Sequence, residues 1–199
     1  NLILMKLTIT HQEQYSRSEL LLRSIFGVLY ITLPHAFLLF FVGLWGLILN
    51  FVAFITVVFT GEYPKSIFEF QVQLMRWKLR VNARMYNLSD GYPAFGLSGT
   101  DDEYTHLEAP YPEQISRSLV LLRFFFGVIF VGIPHGFVLY FRNIIGVFIS
   151  FFAWFVVLFT GEYPKSWHRF IVGTMRWQFR VGIYLAYLSD DYPPFTGEA

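Results

Sequence analysis

Leu20 to Thr60 contains no acidic residue and a single basic one, Arg23. A run of this length exceeds one membrane crossing, which takes about 20 residues at about 1.5 Å rise each. It predicts a hairpin of two helices with a break near Val42-Gly43. The run returns one hundred positions later at Val120 to Thr160, where Arg142-Asn143 stands at the expected bend. Composition agrees. The chain is 55% hydrophobic, 21% aromatic and only 15% charged, against the usual quarter charged, so lipid-facing surface is expected. A net charge of +1 argues against nucleic acid as a partner, which needs a basic face. The lack of cysteine excludes disulfides, thiolate metal sites and a cysteine nucleophile.

The repeat extends well beyond the apolar runs. Ser16-Arg17-Ser18, Arg23, Phe26-Gly27, Pro34-His35 and Phe37 recur at the same offset, and FTGEYPKS stands at both Phe59 to Ser66 and Phe159 to Ser166. Met75-Arg76-Trp77, Arg80-Val81, Leu88-Ser89-Asp90, Tyr92-Pro93 and Phe95 recur as well. Self-similarity at a fixed period means two copies of one folding unit. The chain therefore divides into an arm (1–15), repeat 1 (16–95), an acidic linker (96–114) and repeat 2 (115–199). Alternation of Leu7 and Ile9 with Lys6 and Thr8 suits a short strand or an extended interfacial arm. Asp101, Asp102, Glu103, Glu108 and Glu113 read as a solvated linker. No leader-like segment precedes Glu13, so the first apolar run is expected to direct insertion.

Each repeat reads as a hairpin (19–60, 119–160) followed by an amphipathic helix (64–87, 164–187). Ser16 and Ser18 are candidate N-caps, and Gly61-Glu62-Tyr63-Pro64 is the stop. In the amphipathic helix Phe68, Val72, Met75 and Leu79 share one face, while Glu69, Gln73, Arg76, Arg80 and Arg84 share another. Every Lys and Arg except Arg142 lies away from a hairpin tip. The positive-inside rule then places both termini in the cytoplasm of a bacterial inner membrane. The expected fold is all-α and polytopic, with four transmembrane helices in two parallel repeats.

Candidate functional residues follow. Arg76, Arg80, Arg84, Arg176 and Arg180, with Trp77 and Trp177, form a basic, aromatic face suited to anionic lipid or an acidic partner. Arg23 and Arg123 stand one turn inside the apolar runs and are expected to pair with Glu62 and Glu162 where the hairpins return. His35 and His135 follow prolines in an apolar helix, where ionisable groups are costly. Their uses are a hydrogen bond in a proline kink, a transport path, or paired ligation of haem or a pigment. No nucleophile elbow, phosphate loop, dinucleotide fingerprint or zinc motif occurs, so no enzyme, catalytic residue, metal or resident cofactor is expected.

FTGEYPKS, the MRW-x-x-R run after it and the closing LSD-x-YP-x-F resemble a bacterial membrane family, domain of unknown function 4389. In that family a Pro-His apolar helix, a second apolar helix and a TGxYP turn precede an RW-x-x-R helix that ends before a (D/E)xYPPF segment. The second copy keeps Tyr192-Pro193-Pro194-Phe195, whereas Ala94 replaces the second proline in the first. The resemblance covers nearly all of 16–95 and 116–195 and implies a tandem duplication with a helical membrane fold. It brings no activity. The reading is a non-enzymatic membrane scaffold or accessory subunit, touching lipid, other membrane-protein subunits or itself. The alternatives are a small transporter or channel-like module and a haem- or pigment-binding subunit, both through His35 and His135.

Overall fold

The computed structural model describes residues 5–100 and 103–198, so Asp101 and Asp102 of the linker lie outside the described residues. The chain is mostly helical. Strand β1 (Lys6–Ile9) leads into α1 (Arg17–Gly27), which passes through one π-helical turn (Val28–Thr32) into α2 (Leu33–Thr60). Helix α3 (Lys65–Met85) and strand β2 (Thr105–Glu108) follow. The second copy gives α4 (Arg117–Gly127), a π-helical turn (Val128–Gly132), α5 (Ile133–Thr160) and α6 (Lys165–Leu185).

The expected hairpins are not there. From Arg17 to Thr60, and from Arg117 to Thr160, the helix is unbroken over 44 residues. Gly43 sits inside α2 with open space around it. Glycine weakens a helix interior by only about 1 kcal/mol relative to alanine. A break among apolar residues would leave several backbone groups unpaired, at several kcal/mol each. The helix therefore continues. Among the described residues each repeat holds one helix long and apolar enough to cross a membrane, two where four are expected. Arg142, expected at a bend, lies within α5 and stacks over the ring of Phe170 on α6, 4.5 Å away.

Each long helix begins where sequence reading places it. The Ser16 and Ser116 hydroxyls accept from Glu19 N and Leu119 N, so the N-cap is Ser16 and not Ser18. Each ends at a glycine with positive φ, Gly61 (+80°) and Gly161 (+78°), whose N–H closes on the carbonyl of Val57 or Val157 at 2.8 Å. That left-handed conformation suits glycine because it lacks a Cβ.

The two long helices run antiparallel and are tied end to end. Tyr15 N donates to Gly161 O (2.8 Å) and Ile115 N to Gly61 O (2.9 Å). Helix α1 packs against α5 and α2 against α4. Burial falls on a single stripe along each helix, Leu20, Arg23, Gly27, Ile31, His35, Gly46, Ala53, Phe54 and Val57 in the first, which faces the rest of its own repeat as well as the other long helix. Helices α3 and α6 fold back along α2 and α5.

Between α3 and α6 lies a feature that corrects the all-α expectation. The arm and the linker form a two-stranded antiparallel ribbon, with Leu7 opposite Leu107. Both leucines are buried in the core. The linker is therefore not simply solvated: it supplies one strand.

Candidate functional site

Most of the arginine face is covered by protein, although Arg76 is exposed. Arg80, Arg84 and Arg180 are buried, as are Trp77 and Trp177. The ribbon and the post-helical segments cover them. Arg76 Nε donates to Leu107 O at 2.9 Å, and Arg176 Nε to Leu7 O at 3.0 Å. Each strand of the ribbon thus has an outer carbonyl satisfied by an arginine of the flanking helix, which blunts an otherwise open edge. Arg80 donates to Ala94 O and Gly96 O (3.2 and 2.6 Å), and Arg84 stacks over Tyr104 at 5.3 Å. Sequence periodicity locates the basic row correctly; what lies over it is non-local.

Arg23 and Arg123 form buried ties, but with other partners than expected. Arg23 pairs with Glu19 (3.3 Å) and Asp90 (3.1 Å), and also donates to Asn87 Oδ1 and Ser89 O. Arg123 pairs with Asp190 and donates to the carbonyls of Leu119, Tyr184 and Ser189. Glu62 and Glu162 are exposed at the far ends of unbroken helices. The chain returns to Arg23 through α3 and the Leu88-Ser89-Asp90 segment, whose recurrence at Leu188-Ser189-Asp190 was the available signal.

His35 and His135 each sit fully buried in a cage built by their own repeat. Trp77 Nε1 donates to His35 Nδ1 at 2.9 Å, and the imidazole stacks on Phe95 at 3.9 Å. Trp177 and Phe195 do the same to His135 (2.9 and 4.0 Å). Indole only donates, so Nδ1 is the acceptor and the neutral ring carries its proton on Nε2. With Nδ1 occupied and Nε2 protonated, this tautomer offers no lone pair to a metal. The carbonyl that proline leaves unpaired one turn back is served by another motif. Tyr92 Oη donates to Tyr30 O (2.9 Å) and Tyr192 Oη to Phe130 O (3.0 Å). Pro-His, Trp and Tyr-Pro-x-Phe are parts of one assembly, beside the π-helical turn.

A further cluster was not read from the sequence. Where α5 turns into α6, His11 Nε2 lies 2.7 Å from Tyr163 O, and the His11 and His168 rings are 5.0 Å apart, edge to face. Burial, with His11 close by, pushes the His168 pKa down to about 4. These residues line a groove of about 1080 Å³. Its signal was the break in the repeat at Phe68/His168 and His11/Tyr111, visible only as a mismatch. Among the described residues no three His, Cys, Asp or Glu converge to hold a metal ion.

The repeated geometry agrees with the family comparison. Domain of unknown function DUF4389 matches twice, over residues 17–96 and 117–197. This chain belongs to the DUF4389 family. It is a tandem duplication of that domain, and the cage, the buried arginine tie and the glycine stop occur once in each DUF4389 unit. Comparison with curated proteins and with solved structures found no match.

Proposed function

We propose that this DUF4389 protein is a non-enzymatic scaffold or accessory subunit seated in the bacterial inner membrane, its two long helices lying along one leaflet. The observation that carries this reading is the distribution of exposed apolar side chains. Outside the single buried stripe, the first long helix exposes Ile25, Val28, Leu33, Phe37, Phe40, Leu44, Leu47, Phe51 and Phe59, among others, and the second exposes a matching set. Exposed apolar surface on this scale marks a membrane or protein interface. A 44-residue helix is about 66 Å long, about twice the hydrocarbon thickness. Alongside its middle runs α3, against which the ribbon packs, and these expose Glu69, Lys78, Lys6 and Glu108. An upright helix would carry those charges into hydrocarbon; a recumbent one keeps them in water. The polar layer also holds the ribbon and residues 195–198, so the reading places both ends of the described chain on the cytoplasmic side. The phenylalanine-rich face then serves lipid, a partner helix or a second copy.

The chain has no cysteine, so single cysteines at Phe26, Phe40, Phe59 and Lys78 can be spin-labelled for depth measurement in vesicles. The reading expects the three phenylalanine positions at similar depth in one leaflet and Lys78 in water. Depths that sweep from one headgroup layer to the other along the helix would replace it with a transmembrane arrangement.

A further inference from the structure

The equivalent arginines Arg76 and Arg176 end in different company. Both commit Nε to a ribbon carbonyl, Leu107 O and Leu7 O respectively. Arg176 then completes its fork: Nη2 donates to Leu7 O at 2.9 Å and Nη1 to Gly197 O at 2.6 Å. The segment after α6 thus plugs that corner with a carbonyl oxygen. In repeat 1 nothing does so, and Arg76 Nη1 and Nη2 have no protein partner.

The cause is steric. Gly173 and Gly197 touch backbone to backbone: a Cβ on Gly173 would lie 3.0 Å from Gly197 O, and one on Gly197 would collide with Gly173 O. Side chains at both places would hold the two segments apart. One hundred positions earlier both side chains are present, as Gln73 and Leu97. They prop the loop away from α3, and its carbonyl does not reach the arginine. What opens is a cavity of about 280 Å³, lined by Gln73, Arg76 and Arg80 of α3 and by Leu97, Ser98 and Thr100 of the loop. One water needs about 10–15 Å³, so a ligand of several atoms fits.

The chemistry of the cavity is one-sided. Arg80, only 3% exposed, is held by Ala94 O and Gly96 O and brings a buried cation. Of the five N–H donors of an arginine, Arg76 has given one to Leu107. Gln73 adds an amide, and Ser98 and Thr100 add hydroxyls. No Asp or Glu is among the described residues that line the cavity. Cations with neutral donors and no carboxylate favour an anion. The planar guanidinium fork matches the oxygens of a phosphate. Donors on two walls, helix and loop, suit a tetrahedral group better than a flat carboxylate.

We infer that this cavity binds a phosphate group, free or as a water-soluble phosphomonoester. One of its oxygens takes on Arg76 the place that Gly197 O fills on Arg176. Gln73, Ser98 and Thr100 donate to the remaining oxygens, and Arg80 offsets the charge. The cavity lies on the side of α3 and the ribbon, which the proposed membrane seat keeps in water, so the ligand arrives from solution. Binding itself does not depend on that seat.

The test is calorimetric titration of the full chain in detergent with inorganic phosphate, glycerol phosphate, acetate and a short-chain phosphatidic acid. One equivalent of phosphate or glycerol phosphate is expected to bind, at least about tenfold more tightly than acetate, a difference of about 1.4 kcal/mol. Arg76→Gln is expected to weaken binding by about tenfold or more. Gln73→Gly combined with Leu97→Gly keeps every cation but installs the glycine pair of repeat 2; the loop then closes on Arg76 and binding is lost. Arg176→Gln, at a fork already filled, leaves binding unchanged. The proposal is overturned by the absence of saturable phosphate binding, by acetate binding as tightly, or by phosphatidic acid binding where glycerol phosphate does not. Wild-type binding in Arg76→Gln or in the double-glycine variant overturns it too, as does an equal loss in Arg176→Gln. Vesicle flotation is read separately. A chain that binds phosphate without floating keeps this site and loses the membrane seat; one that floats without binding phosphate does the reverse.

Discussion

The two repeats share a frame but fill its corners differently. At one end-to-end junction Phe54 stacks on Phe124 at 4.3 Å; at the other Trp154 Nε1 donates to Ser24 Oγ at 2.6 Å. Beside the arginine tie, repeat 1 has Glu19 where repeat 2 has Leu119. At the start of the amphipathic helix, repeat 1 has Phe68 where repeat 2 has His168. Positions that hold backbone geometry are the same in both copies: the glycine stops, the Pro-His cage and the Asp90 and Asp190 anchors. Positions that face a cavity or a helix junction have diverged. The lesson is that backbone satisfaction constrains both copies equally, while side-chain filling is free to differ.

Four sets of substitutions probe that contrast. The largest effect is expected at the arginine ties. Arg23→Met leaves Asp90 and Glu19 facing each other without their cation, and breaking such a buried pair costs about 3–5 kcal/mol. Arg123→Met strands one carboxylate, on Asp190, whose side chain is more exposed (29% against 14% for Asp90). Thermal unfolding in detergent should therefore rank Arg23→Met as the worse of the two, and the reverse order would show that the pairs are not the dominant cost.

Acid sensitivity comes next. The unfolded chain protonates His168 near its ordinary 6.5, whereas the folded chain refuses that proton until about pH 4. A group that binds fewer protons when folded loses stability as pH falls. The loss accumulates between those two values and reaches at most about 3 kcal/mol. His168→Phe should flatten the unfolding midpoint across that window; an unchanged acid limb would assign it to other groups.

The glycine stops should be unequal despite equal φ. A Cβ at Gly161 meets Gln14 Oε1 at 2.7 Å, whereas one at Gly61 meets only the Arg117 guanidinium, at 3.3 Å and beyond. Both alanine variants carry left-handed strain of about 1 kcal/mol or more, and Gly161→Ala should unfold at the lower temperature. Smallest is the junction hydrogen bond. Ser24→Ala is expected to cost about 0.5–1.5 kcal/mol and to shift Trp154 fluorescence, while Phe124→Leu leaves that fluorescence alone.

How much of this was legible in the sequence varies with the range of the interactions. The repeat, the N-cap serines, the glycine stops and the apolar row Phe68, Val72, Leu79 depend on residues within a turn or two, and periodicity reveals them. The hairpin was misread because Gly43 and Arg142-Asn143 resemble a bend, yet neither removes enough backbone bonding to outweigh helix continuity. Strand β2 was hidden by its acidic surroundings, although Thr105-His106-Leu107-Glu108 alternates as a strand should. The partners of Arg23 and the cover over Arg80 arise from contacts between distant segments, which no local pattern encodes. The histidine cage was half visible: Pro34-His35 and Tyr92-Pro93 recur together, but their meeting required α3 to fold back.

The reciprocal bonds between Tyr15 and Gly161 and between Ile115 and Gly61 carry a historical consequence. Each unit leaves its own helix stop unfinished and completes the other's, and each contributes one strand to a ribbon that neither forms alone. A half-length ancestor would have met those needs only as a symmetric homodimer. Joining the two genes end to end made the pairing permanent, and it released one copy to exchange a plugged corner for an open one.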